Sequence, residues 1–210
     1  MNKLVLFWGL GCGLSSAATF YPISSVTSDT VATDFFTAQN LIQGAGVGFD
    51  ASEPHDQLGG GGAAFTWVTD APNGGAGDYF SPLPGTSPRF VFDLGSVVAL
   101  NEVSVWGYAD TNGNGLISAD LRFSDTPTFS GDVTSISGIT QPYAPRQSFS
   151  FDDVDARYVE FVPTDNLFGI APPGGDRAGL GEVAFAVPIP EPSSALLCIL
   201  GLAGLARRRR

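Results

Sequence analysis

The chain has 210 residues, 43% of them hydrophobic and 15% charged, with 27 glycines and 15 prolines: enough for one domain with a core, punctuated by many turns. Acidic residues number 21 against 10 basic ones, a net charge of −11, and five of the basic residues are Lys3 and the terminal Arg207, Arg208, Arg209 and Arg210. The middle of the chain is therefore more acidic still, which excludes a phosphate-backbone surface and hence a nucleic-acid partner. Cys12 and Cys198 lie in apolar terminal segments and His55 is the single histidine, so a disulfide framework, a zinc cluster and a histidine-based triad are all disfavoured.

Residues 1–18 carry Lys3, an apolar run from Leu4 to Leu14 and the small residues Ser15 to Ala18. This is the pattern of a secretory signal peptide, with cleavage expected between Ala18 and Thr19. Lipidation at Cys12 is the alternative, but only a short stretch precedes it and Gly9 replaces the usual aliphatic residue. The exported domain is expected over 19–187, its core over about 33–187.

Within that span a short helix is expected near Phe35 to Leu41, and then the period becomes two. Ile117, Ala119, Leu121 and Phe123 alternate with Ser118, Asp120, Arg122 and Ser124, which makes a half-buried strand. Similar runs are RFVFD at 89–93, EVSVWGY at 102–108, SFSF at 148–151, ARYVEFV at 156–162 and EVAFAV at 182–187. Turn residues separate them, as in an antiparallel β-sandwich or jelly roll. Core candidates are Phe90, Phe92, Val103, Val105, Leu121, Phe123, Val159, Phe161, Val183 and Phe185. The glycine runs at 57–62 and 72–78 fit no ladder and are expected as surface loops.

Three features invite chemistry. DTNGNGLISAD at 110–120 spaces Asp110, Asn112 and Asn114 like a calcium loop, but Leu121 stands where the bidentate carboxylate belongs, and an Asn-Gly hairpin turn explains the same residues. His55 and Asp56 are adjacent, so in an extended segment their side chains diverge, which suits ligand contact by His55 better than catalysis. Trp67, Trp106 and Tyr108 are the aromatics able to stack on a sugar ring, with core packing as the alternative for each; Tyr79 beside Asp78 is a further rim candidate.

The order NLIQGAGVG, HD, FTWVTD, RFVFDLGSVVALNEVSVWGY, LRFSDT, ARYVEFV and GLGEVAF, spanning residues 40–186, resembles the discoidin or coagulation-factor type C group of galactose-binding-like jelly rolls. The resemblance implies ligand binding, commonly of glycans, through loops at one end of the sandwich. It also implies a structural Ca²⁺ between the first loop and the closing strand. Glu182 matches the closing glutamate; the first-loop aspartate is replaced in this chain, leaving Gln43 and the nearby Asp50 as the other oxygen donors.

The chain closes on VPIPEPSSALLCILGLAGLARRRR. The apolar run at 194–206 would span ~20 Å as a helix, short of a ~30 Å hydrocarbon core, and the terminal arginines orient the preceding domain across the membrane. Pro190, Glu191 and Pro192, the short apolar helix and Arg207 to Arg210 together resemble the PEP-CTERM sorting tail of exported bacterial proteins. That resemblance implies an exosortase-type membrane processing enzyme as partner, a transient inner-membrane anchor, and delivery to the outer envelope, cell surface or extracellular matrix. An ordinary weak anchor is the alternative. The sequence as a whole points to a non-enzymatic exported protein that binds carbohydrate; a structural or adhesion protein without a sugar site, and a glycosidase using paired carboxylates, are the competing readings.

Overall fold

The computed structural model describes residues 18–29, 36–42, 66–71, 77–81, 88–108, 112–139, 146–171 and 173–188. The expected signal helix, the apolar run at 194–206 and the Pro-Glu-Pro motif lie outside them; among the described residues no helix is long and apolar enough to cross a membrane.

The strands are β1 (Ala18–Tyr21), β2 (Ser25–Ser28), β3 (Trp67–Val68), β4 (Phe90–Trp106), β5 (Leu116–Ser124), β6 (Thr134–Ser137), β7 (Gln147–Asn166), β8 (Gly179–Leu180) and β9 (Glu182–Pro188). A 3-10 turn at Ala38–Ile42 stands where the short helix was expected. The main sheet is antiparallel with order β1-β9-β4-β7-β5-β6, and β2 adds onto β4; β3 and β8 form a separate pair.

Two expectations are corrected. The runs at 89–93 and 102–108 belong to one strand, and so do those at 148–151 and 156–162. The chain between them stays in the ladder through register shifts, between Asp93 and Val98 and between Leu100 and Glu102. Bulges of this kind bend a strand and increase its twist. Gly95, at φ 80°, turns the first shift, its N–H bonded to Asp93 Oδ1 at 2.7 Å. β7 likewise runs through Pro163, because another register shift, between Ser118 and Ala119, falls where the proline's missing donor would break a regular ladder.

The bends close the sandwich. Phe185 pairs with Val103, eleven residues along β4 from Phe92. A straight strand would separate those β4 positions by ~36 Å, yet the Phe92 and Phe185 rings lie 5.3 Å apart, edge to face. One continuous sheet thus curls over its own apolar face. Phe90, Phe92, Phe161 and Phe185 are fully buried there, with Trp67 set edge-on to Phe90 at 4.6 Å. Of the core candidates all are buried except Phe123, which packs partly exposed against the cluster.

On the opposite face of the sheet sits a buried charge. Glu160 is 5% exposed and accepts from Arg89 Nε through Oε1 and from Arg122 Nη1, at 2.7 Å, through Oε2. Burial works to raise its carboxyl, but the two arginines outweigh that and hold it below the usual carboxylate range. Arg157 grips Asp93 bidentately at 2.8 and 2.9 Å and lowers that carboxyl too. Both folded-state values are depressed, so their contribution is present above the ordinary carboxylate value of ~4 and is lost as pH falls through the lowered ones. Glu160→Gln should destabilise the domain by about 1–3 kcal/mol at neutral pH and flatten the acid limb of the stability profile, as read by urea unfolding between pH 3 and 7.

Candidate functional site

At one end of the sandwich the β4–β5 connection meets the β7–β8 connection. Asn112 starts a turn: its Oδ1 accepts from Asn114 N at 2.9 Å, and its carbonyl accepts from Gly115 N at 3.4 Å. The expected Asn-Gly turn is present, but the strands it joins are not hairpin partners, since β4 pairs with β7, β9 and β2 while β5 pairs with β7 and β6. Freed from a hairpin, the turn docks elsewhere. Asn114 Oδ1 accepts from Gly175 N at 2.7 Å, its carbonyl accepts from Gly179 N at 2.7 Å, and Gly113 N donates to Pro173 O at 2.9 Å.

From the other side Asn166 Nδ2 donates to the carbonyls of Gly175 (2.9 Å) and Arg177 (2.8 Å), while its Oδ1 accepts from Phe168 N at 3.0 Å. Two buried amides therefore use their hydrogen-bonding capacity on neighbouring backbone. Further contacts extend the frame: Thr69 Oγ1 accepts from Ala178 N at 3.0 Å, Arg177 Nη1 donates to Thr69 O at 3.1 Å, and Tyr79 N donates to Gly175 O at 2.7 Å. Glycine is required where the loops touch. A Cβ on Gly113 would lie 2.7 Å from the Gly174 backbone, and one on Gly175, at φ 104°, would lie 2.5 Å from the Phe168 ring.

The sequence-derived aromatics take different places. Trp67 is fully buried, its Nε1 without a hydrogen-bond partner among the described residues, and Trp106, 2% exposed, sits with Phe20, Ala184 and Ala186 in a second cluster on the sheet's other face. Tyr108 is also buried, its ring 2.7 Å from where a Cβ on Gly179 would stand. Those three rings serve packing. Tyr79 is half-buried in the loop frame, edge-on to Phe80 at 5.0 Å. Its hydroxyl is pushed up chiefly by burial, with Asp29 adding and a hydrogen bond to Thr69 opposing, so it stays a neutral donor and acceptor. His55, Gln43 and Asp50 lie outside the described residues, as do Glu191 and its flanking prolines, and Arg207 to Arg210.

Glu182, 2% exposed, stands at the head of β9 beside the loop frame, where Gly181 N bonds Trp106 O at 3.0 Å. A buried carboxylate there suits a hard cation, but calcium takes ~6–8 oxygens, and among the described residues no group of three or more His, Cys, Asp or Glu converges on a metal-sized space. The described side chains alone therefore do not complete a calcium site. Ala18 and Thr19 lie in β1, paired with Pro188 and Val187.

Sequence reasoning missed Phe168, Ile170 and Asn166. The strand was expected to stop before Pro163, so the DNLFGI segment beyond it went unplaced. In the structure Phe168 is 45% exposed and Ile170 68% exposed, the two large apolar side chains that the loop end offers to solvent among the described residues, close along the chain to Asp176 and Arg177. An aromatic ring and an aliphatic chain beside charged hydrogen-bonding groups can hold a sugar by stacking and directed polar contacts together.

No protein-family model matches the chain, and no curated protein matches it. Solved structures do. The family 32 carbohydrate-binding module of NanJ from C. perfringens, in complex with galactose, superposes with a TM-score of 0.51 at 12% identity, covering 81% of this chain and 99% of that one. A mutant of the lectin binding domain of lectinolysin, complexed with Lewis b, gives 0.51 at 13% identity over 79% of this chain and 92% of that one. The fold is a galactose-binding-like β-sandwich. A truncated AlyQ with a family 32 module and alginate lyase domains matches 84% of this chain at a TM-score of 0.52 and 19% identity; the match takes in 35% of that longer chain.

The galactose-binding-like frame in this chain depends on its glycine contacts. Gly113→Ala forces backbone against backbone and should cost about 1–3 kcal/mol, visible as a lower thermal midpoint and as faster amide exchange at residues 112–115 and 173–179 than in β4 or β7.

Proposed function

We propose that this chain is a non-enzymatic, exported bacterial carbohydrate-binding protein of the envelope or extracellular matrix. It holds its ligand at the loop end of the sandwich, with Phe168 as the stacking surface, Ile170 beside it, and Asp176, Arg177 and the Tyr79 hydroxyl as polar partners. The observation that carries this reading is an exposed aromatic on a frame held by two buried amides: a platform positioned before ligand arrives loses little freedom on binding. The galactose and Lewis b complexes of the two neighbouring folds support a glycan as the ligand class.

Asp93 and Glu160 are engaged by arginines that lower both carboxyls, so neither is the raised general acid a glycosidase needs. Ca²⁺ held by Glu182 with Gln43 and Asp50 is part of the proposal; it would tie the first loop to β9 as a structural ion.

The topology suits export and sorting by the signal peptide and the PEP-CTERM tail. β9 begins in the loop frame and ends at Pro188, six residues and ~20 Å away. The exosortase-type enzyme would act at the membrane on the tail that follows Pro188 in the sequence. Removal of the signal peptide before Thr19 keeps Thr19 to Tyr21 paired with Val187 to Phe185.

The full chain on a glycan array, with calcium and with a chelator, should enrich a defined set of sugars, and Phe168→Ala should weaken the strongest by about fivefold to tenfold. No enriched sugar under either condition would instead favour a structural or adhesion role. The mature protein should begin at Thr19 and lack residues 194–210 by intact mass in the envelope or extracellular fraction; an uncut chain in the cytosol would overturn the sorting reading.

A further inference from the structure

β5 ends at Ser124, opposite Tyr158, while β7 continues on to Gln147 with β4 alone beside it among the described residues. The flank that β5 vacates is a groove of about 660 Å³ between residues 131–134 and residues 150–154, within the ~300–1,000 Å³ range of small-ligand sites. Its floor is apolar. The Phe123 and Phe151 rings lie 4.7 Å apart, Val154 continues the surface, and Val133 on the opposite wall is 45% exposed.

Asp132, Asp152 and Asp153 line the same groove, and the five arginines of the body are committed elsewhere. Arg89 and Arg122 hold Glu160, Arg157 holds Asp93, Arg177 reaches Asp176 and Thr69, and Arg146 covers the Phe20 ring at 4.9 Å. Among the described residues no cation pairs with the groove carboxylates; Asp153 accepts only the Asn101 amide, at 2.8 Å. None of the described residues supplies a positive charge to this site, which leaves its carboxylates to a cationic ligand.

Two kinds of cationic ligand fit poorly. The three carboxylates do not converge as a metal-binding group, so a single ion would leave the groove largely unfilled. An added peptide strand needs a regular edge, whereas residues 151–153 bulge out opposite Asn101, and a bulge is the ordinary device that stops edge pairing. What remains is a ligand with apolar faces for the two rings and separated positive charges for Asp132 and Asp152.

We propose that the groove is a second binding site, distinct from the loop end, for a polysaccharide bearing protonated amino groups. Sugar faces lie over Phe123 and Phe151 and the ammonium groups pair with Asp132 and Asp152. The site does not depend on the loop-end proposal. Titration calorimetry on the full chain, with glucosamine oligomers against N-acetylglucosamine oligomers of equal length, tests it. The glucosamine oligomer should bind, more weakly as salt rises, and the uncharged N-acetylated one should bind about tenfold less tightly or worse. Asp132→Asn with Asp152→Asn should cost a similar factor at an unchanged thermal midpoint, and Asp132→Asn alone, at an exposed loop position, repeats the measurement if the pair unfolds. Absent glucosamine binding, equal binding of the acetylated oligomer, or full binding by the Asn variants would overturn the proposal. So would loss of binding in Phe168→Ala, which would place the ligand at the loop end, or tighter binding of an oligolysine peptide, which would indicate a protein partner.

Discussion

The loop end rests on a three-way lock in which Gly175 N donates to the Asn114 side chain while Gly175 O accepts from the Asn166 side chain. Both amides are buried, and an unmet polar group in such surroundings costs about 1–3 kcal/mol. The β4–β5 turn therefore depends on the β7–β8 connection: withdraw that connection and the Asn114 amide is stranded, while Asn166 ties the connection's own backbone together. Tight contact between bare backbones, at Gly113 against Gly174, lets the lock close. Because Phe168 packs directly over Gly175, its ring direction is set by the same closure.

Electrostatically the body is divided into two economies. Around Glu160 and Asp93, scarce arginines neutralise acids that the sheet has partly or wholly withdrawn from water. That spends the positive charge of the domain on holding the curled β4–β7 pair in register. The acids left over stand at the surface, and the flank vacated by β5 carries three of them beside exposed apolar groups. Uncompensated charge and bare ring surface on one wall of a sheet have different origins, one in composition and the other in unequal strand lengths, yet they meet at the same place.

How far the sequence was legible follows from what each signal measures. Period-two alternation depends only on which side of a sheet a residue faces, so the inward set from Phe90 to Phe185 was readable, as were the all-β class and the galactose-binding-like likeness. Strand continuity was not: glycine and proline at 95 and 163 mark stops in a local reading, whereas here they fall at register shifts, where a ladder tolerates a positive φ or a missing donor. The site was half legible. Trp67, Trp106 and Tyr108 have the right chemistry for stacking, but period two cannot say which face of a doubly covered strand meets solvent. Phe168 carried no periodic signal at all, since it lies in a turn whose shape comes from long-range partners at 114 and 175.

The side-by-side course of β1 and β9 gives the domain a mechanical property. β9 is flanked on both sides, by β1 over Ala18–Tyr21 and by β4 over Glu102–Trp106. If the chain beyond Pro188 is a tether and something heavy is gripped at the far loops, tension runs along the axis of β9. Its ladder hydrogen bonds then share the load in shear, many at once, instead of peeling open one after another, so the sandwich resists being pulled from its surroundings.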